Sequence, residues 1–206
     1  MRSILAGILL VSLLLVPAHL PADGEENALL EGLVLTTDGN PASGTRITVW
    51  DGRESRRAVT DAAGKFVIPG LRPGSVFAVR FSPQKFDSVR MDGFRVPEKG
   101  NLYLSMEYGT MQRGRRHTVI IPSNPSTGYE WSLLDHGTTS VVNLRERSME
   151  TPDETPGRGM AGRGGRELWT FESVGRGNTL ITLGYRRPWE TGVSPLRYHV
   201  VALAVR

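Results

Sequence analysis

The side chains able to act as nucleophile, base or metal ligand are scattered along this 206-residue chain rather than grouped. Histidines stand at His19, His117, His136 and His199, and no two of them have metal-ligand spacing. Cysteine is absent, which rules out a thiolate nucleophile, a Cys-ligated metal, disulfides and a lipidated N-terminal cysteine together. No Gly-x-Ser-x-Gly elbow occurs. Glu150, Asp153 and Glu154 lack the ligand spacing of a calcium loop and read as solvated charges. His199 reads as a structural residue on a strand face. The chain is therefore expected to be no enzyme, with no catalytic residue, no metal and no cofactor.

Recognition chemistry is better represented. Asn124, Pro125, Ser126, Thr127 and Gly128 combine an Asn that can bond to backbone two residues on, a Pro that fixes φ, and a Gly that allows positive φ. They predict a stiff, narrow tip bearing small side chains, or simply an ordinary turn. Asn124 is no glycan acceptor, because Pro125 occupies the forbidden middle position. Gly162, Arg163, Gly164 and Gly165 read either as flexible filler or as a strip of glycine backbone that another surface can approach closely. A phosphate cradle would need a following helix with Lys-Ser/Thr, and Arg166-Glu167 with a strand follows instead. Arg187, Pro188 and Trp189 place a Trp beside an Arg, the composition of a binding hot spot. The alternative is that Trp189 folds back into the core.

All three segments fall between strand-like runs: 118–121, 131–134, 168–171, 179–183 and 198–203. Several of these alternate apolar with polar, as half-buried sandwich strands do. The stretch from Asn143 to Gly165 has little to bury and is expected to be a long mobile loop. The three motifs, with Tyr129, Trp131 and Tyr185, resemble the loops of the chagasin family, β-sandwich proteins that block papain-type cysteine peptidases. The resemblance spans residues 117–206 and implies an immunoglobulin-like domain. It implies that Thr127 sits at the enzyme's catalytic Cys/His pair, with Arg187 and Trp189 gripping one side of the cleft and the glycine loop resting on the other. Arg163 and the length of the loop before it depart from the family pattern.

Residues 27–108 read as a first module. Short strands at about ten-residue spacing, closed by Asp38-Gly39-Asn40-Pro41, Asp51-Gly52, Asp61 to Gly64 and Pro69 to Gly74, argue a β-sandwich. These phrases resemble the carboxypeptidase regulatory-like, transthyretin-like domain, which implies seven strands and says little about function. Residues 109–116, with Arg113, Arg115 and Arg116, read as a solvated basic linker, so the inhibitory surface is expected wholly in the second module.

Arg2 precedes an apolar run from Ile4 to Val16, followed by Ala18 and Ala22. Residues 1–22 thus read as a secretory signal peptide, shorter in its apolar core than the roughly 20 residues a spanning helix needs. A net charge of +4 is too small to demand a polyanionic partner. The expectation is an all-β, two-sandwich protein, secreted or periplasmic and monomeric. It takes papain-like cysteine peptidases as partners, and neither nucleic acid nor, after cleavage, a membrane. A secreted or cell-surface adhesion or carbohydrate-binding protein is the alternative.

Overall fold

Apolar alternation cut short by turn residues translates directly into strands. The computed structural model describes residues 27–150 and 164–206. The first module contributes β1 (Ala28–Thr36), β2 (Arg46–Trp50), β3 (Ser55–Val59), β4 (Lys65–Leu71), β5 (Val76–Ser82), β6 (Val89–Arg95) and β7 (Leu102–Met111). The second contributes β8 (Arg116–Ser123), β9 (Glu130–Asp135), β10 (Val142–Glu150), β11 (Gly165–Ser173), β12 (Gly177–Arg186) and β13 (Arg197–Val205). The protein is all-β, with one short 3-10 turn at Pro125–Thr127 among the described residues.

The strands form three sheets, and the largest belongs to both modules. Its order is β4-β1-β7-β13-β12-β9. A four-stranded sheet, β3-β2-β5-β6, covers the first-module half, and a three-stranded sheet, β10-β11-β8, covers the second. Leu30, Ile68, Leu102, Leu104 and Met106 pack with Ile47, Val49, Phe77 and Phe81 in the first core. Ile181 and Leu183 pack with Val119, Ile121, Trp169 and Phe171 in the second.

Strand β13 serves both cores. Tyr198, Val200 and Ala202 enter the first, while Val201, Leu203 and Val205 enter the second. Successive residues of a strand point to opposite faces, so the two cores lie on opposite sides of the shared sheet. A strand covered on both faces loses its alternation and becomes a continuous apolar run. That accounts for the apolar character of 198–203.

Two expectations about connecting segments are corrected. Residues 109–116 are not a free linker. Gly109, Thr110 and Met111 complete β7 and pair with Leu203, Ala204 and Val205 of β13. A turn at 112–115 leads straight into β8, with Arg113 N–H donating to Arg206 O at 3.1 Å and Arg113 Nε to Val174 O at 2.8 Å. Backbone pairing is indifferent to side-chain polarity, and the arginine charge caps carbonyls.

The stretch from Asn143 is likewise a strand up to Glu150, the sheet-edge β10 paired antiparallel to β11. Cross-strand ion pairs take the place of apolar alternation there: Arg145–Glu172, Arg147–Glu167 and Arg166–Glu150, each at 3.0 Å. Residues 151–163, including Gly162 and Arg163, lie outside the described residues.

Polar groups also meet where the modules join. His199 of β13 is buried, with Nδ1 2.7 Å from Ser105 Oγ and Nε2 3.5 Å from Glu107 Oε1. Glu107 Oε2 lies 2.9 Å from Nε2 of His117 on β8. Burial pushes the His199 imidazole below its usual value; the Glu107 carboxylate opposes this and nearby His117 reinforces it. With the folded pKa depressed, the unfolded chain binds more protons as pH falls below about 6.5. Stability from this group is therefore present above that pH and lost during acidification towards the folded value. The melting temperature should drop as pH falls from about 7 to 5, and His199→Gln should flatten that slope in a pH-resolved thermal scan.

Candidate functional site

The turns at one end of the second sandwich carry the first motif, the third motif and the described residues of the second, Gly164 and Gly165. Arg186 pairs with Glu130, and Gly165 with Ser123, so the end of β8, the starts of β9 and β11 and the end of β12 lie together. Local chemistry fixes the first. Asn124 is extended (φ −134°), Pro125–Thr127 make one 3-10 turn, and Gly128 closes it at φ 78°. Thr127 Oγ1 donates to Asn124 O at 2.6 Å, and Ser126 Oγ donates to Asn124 Oδ1 at 2.6 Å. Gly128 N–H donates to Pro125 O at 2.9 Å. The tip is tied to itself, leaving Pro125, Ser126 and Thr127 exposed.

Aromatic residues form the floor beneath it. The buried Tyr185 accepts the Asn124 N–H on its hydroxyl at 3.0 Å. Tyr129 stacks on the Tyr185 ring with centroids 5.5 Å apart, and Trp131 tilts against it at 5.2 Å. Trp131 Nε1 donates to Pro122 O at 2.9 Å, fixing the strand that enters the turn.

The third motif and the described part of the second approach the first. The Arg187 guanidinium lies 4.6 Å from the Tyr129 ring centroid and pairs with Glu190 at 3.0 Å. Trp189 is 67% exposed and stays out of both cores. Its indole edge nevertheless lies over Gly128, where an added Cβ would come within 2.6 Å of Cη2. Gly128 is thus required both by its positive φ and by the indole above it. A Cβ on Gly164 would sit 3.3 Å from Ser123 O, and one on Gly165 would collide with Glu150 O. The described glycines of the second motif therefore run along the base of the first loop.

A buried acid beneath the loops escapes the sequence reading. Glu167 is 3% exposed. Its Oε1 accepts Ser123 Oγ at 2.8 Å and Trp131 N–H at 3.3 Å, and its Oε2 meets Arg147 Nη2 at 3.0 Å. The Arg147 guanidinium in turn covers the Trp169 ring at 4.6 Å. Glu167 thereby ties together the two strands that flank the first loop, β8 and β9, which belong to different sheets. The available signal was its phase, since Glu167 alternates with Trp169 and Phe171 on the core-facing register of β11.

Among the described residues, no group of His, Cys, Asp or Glu could hold a metal ion. Exposed Thr127 and Ser126 hydroxyls are engaged by Asn124 rather than by a base. What the loops offer is a shaped surface.

Comparison with known proteins agrees with that character. The family described as Chagasin family peptidase inhibitor I42 matches residues 110–202. Amoebiasin-2 of Entamoeba histolytica is 33% identical over 88 residues, covering 43% of this chain and 68% of that protein. The chain belongs to the chagasin family. Chagasin of Trypanosoma cruzi is 32% identical over 85 residues, 41% of this chain and 76% of its own length. A solved Entamoeba histolytica cysteine protease inhibitor, EhICP2, aligns with TM-score 0.41 and 22% identity over 51% of this chain and 95% of that one. Residues 30–107 match the carboxypeptidase regulatory-like domain. Chagasin-family proteins are peptidase inhibitors, not enzymes, and this chain joins such a domain to a second sandwich.

Removing the Glu167 carboxylate leaves a buried Trp131 N–H and Ser123 hydroxyl without an acceptor. Glu167→Ala should cost about 2–3 kcal/mol, read as a lower urea midpoint at unchanged slope, with Glu167→Gln losing less.

Proposed function

We propose that this protein is a reversible inhibitor of papain-type cysteine peptidases, plugging the enzyme's cleft with the three loops. The observation that carries the reading is the self-tied, exposed tip 125–127 flanked by exposed Trp189, in a chain of the chagasin family. Such a cleft is narrow and has a thiolate and an imidazole at its base. A tip already fixed by its own hydrogen bonds loses little entropy on entering it. Thr127 would face the catalytic pair. Trp189 and Arg187 would hold one wall, and the segment 162–165 the other. No scissile peptide need lie in a substrate pose, so the inhibitor survives the encounter. Export behind residues 1–22 and action as a monomer belong to the same reading.

Inhibition constants against papain and cathepsins test it. Nanomolar or tighter inhibition is expected, with trypsin untouched because the tip offers nothing to a deep specificity pocket. Trp189→Ala should weaken binding by roughly 2–4 kcal/mol, and Thr127→Arg should nearly abolish it. Both variants should keep their melting temperature. Fully active papain and cathepsins at micromolar native protein would falsify the reading.

A further inference from the structure

The loop end of the molecule is wider than the second sandwich. β7 and β13 run parallel, so both begin there, with Tyr103 opposite Arg197. Tyr103 N–H donates to the carbonyl of Leu196, the last residue of the third loop, at 3.4 Å. A groove of about 550 Å³ opens at this junction, lined by Glu31, Lys99, Asn101, Tyr103, Leu196 and Arg197. Tyr103 and Leu196 are each 37% exposed, continuing the exposed apolar character of Trp189 and Val193 in the same loop. The Arg197 guanidinium lies 5.6 Å from the ring of Tyr185, whose hydroxyl holds Asn124. The groove and the first loop therefore share a support.

Resting on the inhibitor reading above, we infer that this groove is a fourth contact with the target peptidase, supplied largely by the first module. Its occupant is the enzyme's surface beside the wall gripped by the third loop, an acidic side chain flanked by apolar atoms. Distance supports this. β7 is two strands from β12, roughly 10 Å across the sheet. A standard inhibitor footprint is about 800 Å² per partner, roughly 30 Å across. An enzyme seated on the three loops thus extends over the groove. Chemistry supports it too: Lys99 and Arg197 outnumber Glu31, and neither forms an ion pair among the described residues. Because one sheet carries both modules, the contact needs no ordering on binding.

The test uses the full chain and whichever papain-like enzyme it inhibits most tightly. Lys99→Glu combined with Tyr103→Ala should raise the inhibition constant at least tenfold. The charge reversal should slow association at low salt, while the melting temperature is kept. In the native complex, hydrogen exchange should show new protection over 98–104 together with the three loops. Should the double variant fail to fold, that protection decides alone. An unchanged inhibition constant in a folded variant, or loops protected without 98–104, overturns the inference and leaves the three-loop reading standing. Native protein that inhibits no papain-like enzyme overturns both.

Discussion

Everything about this molecule's shape depends on burying both faces of β13. Its odd residues Val201, Leu203 and Val205 fill one core, and its even residues Tyr198, Val200 and Ala202 fill the other. Burial of each large apolar side chain is worth about 1.5–3 kcal/mol, so neither sandwich can release this strand cheaply. With β7 on one edge and β12 on the other, β13 also has every backbone group within a ladder. Two modules that could each have been separate beads are thereby locked at a fixed angle. The loop 187–196 leads directly into this strand.

The site is built from outside in by small, local bonds and from inside out by aromatic packing. Exposed tip residues 125–127 are held by Asn124 and Gly128, and Asn124 is held by Tyr185. Tyr185 rests between Tyr129, Trp131 and Arg197. Glu167 fixes the two strands that deliver the loop. Exposure falls from the tip through Asn124 to Tyr185 and Glu167, and the Asn124 N–H, the Ser123 hydroxyl and the Trp131 N–H each find a partner on the way down. The result is a surface whose shape is set before any partner arrives.

Much of this was legible in the sequence, and the gaps have physical causes. The strand 118–121 shows because one face is dry and the other wet. Turn chemistry at 124–128 shows because Asn, Pro and Gly each have a specific backbone role. β10 was hidden because an edge strand can be held by arginine–glutamate pairs that look, in sequence, like a solvated loop. Continuation of β7 through Gly109 and Thr110 was hidden because ladder hydrogen bonds leave no trace in side-chain type. The convergence of His117, His199 and Glu107 from three strands has no sequence spacing to betray it.

The short turn at 112–115 has a meaning for survival. Peptidases attack a folded protein first at flexible, extended connections, since several unpaired residues must thread through the enzyme's cleft. Two-module proteins ordinarily present such a stretch between their halves. Here that stretch is folded into the ladder, and cutting it first requires peeling β7 or β8 away from a core. The junction between the modules is thus reduced to the turn 112–115, pinned on either side by ladder strands.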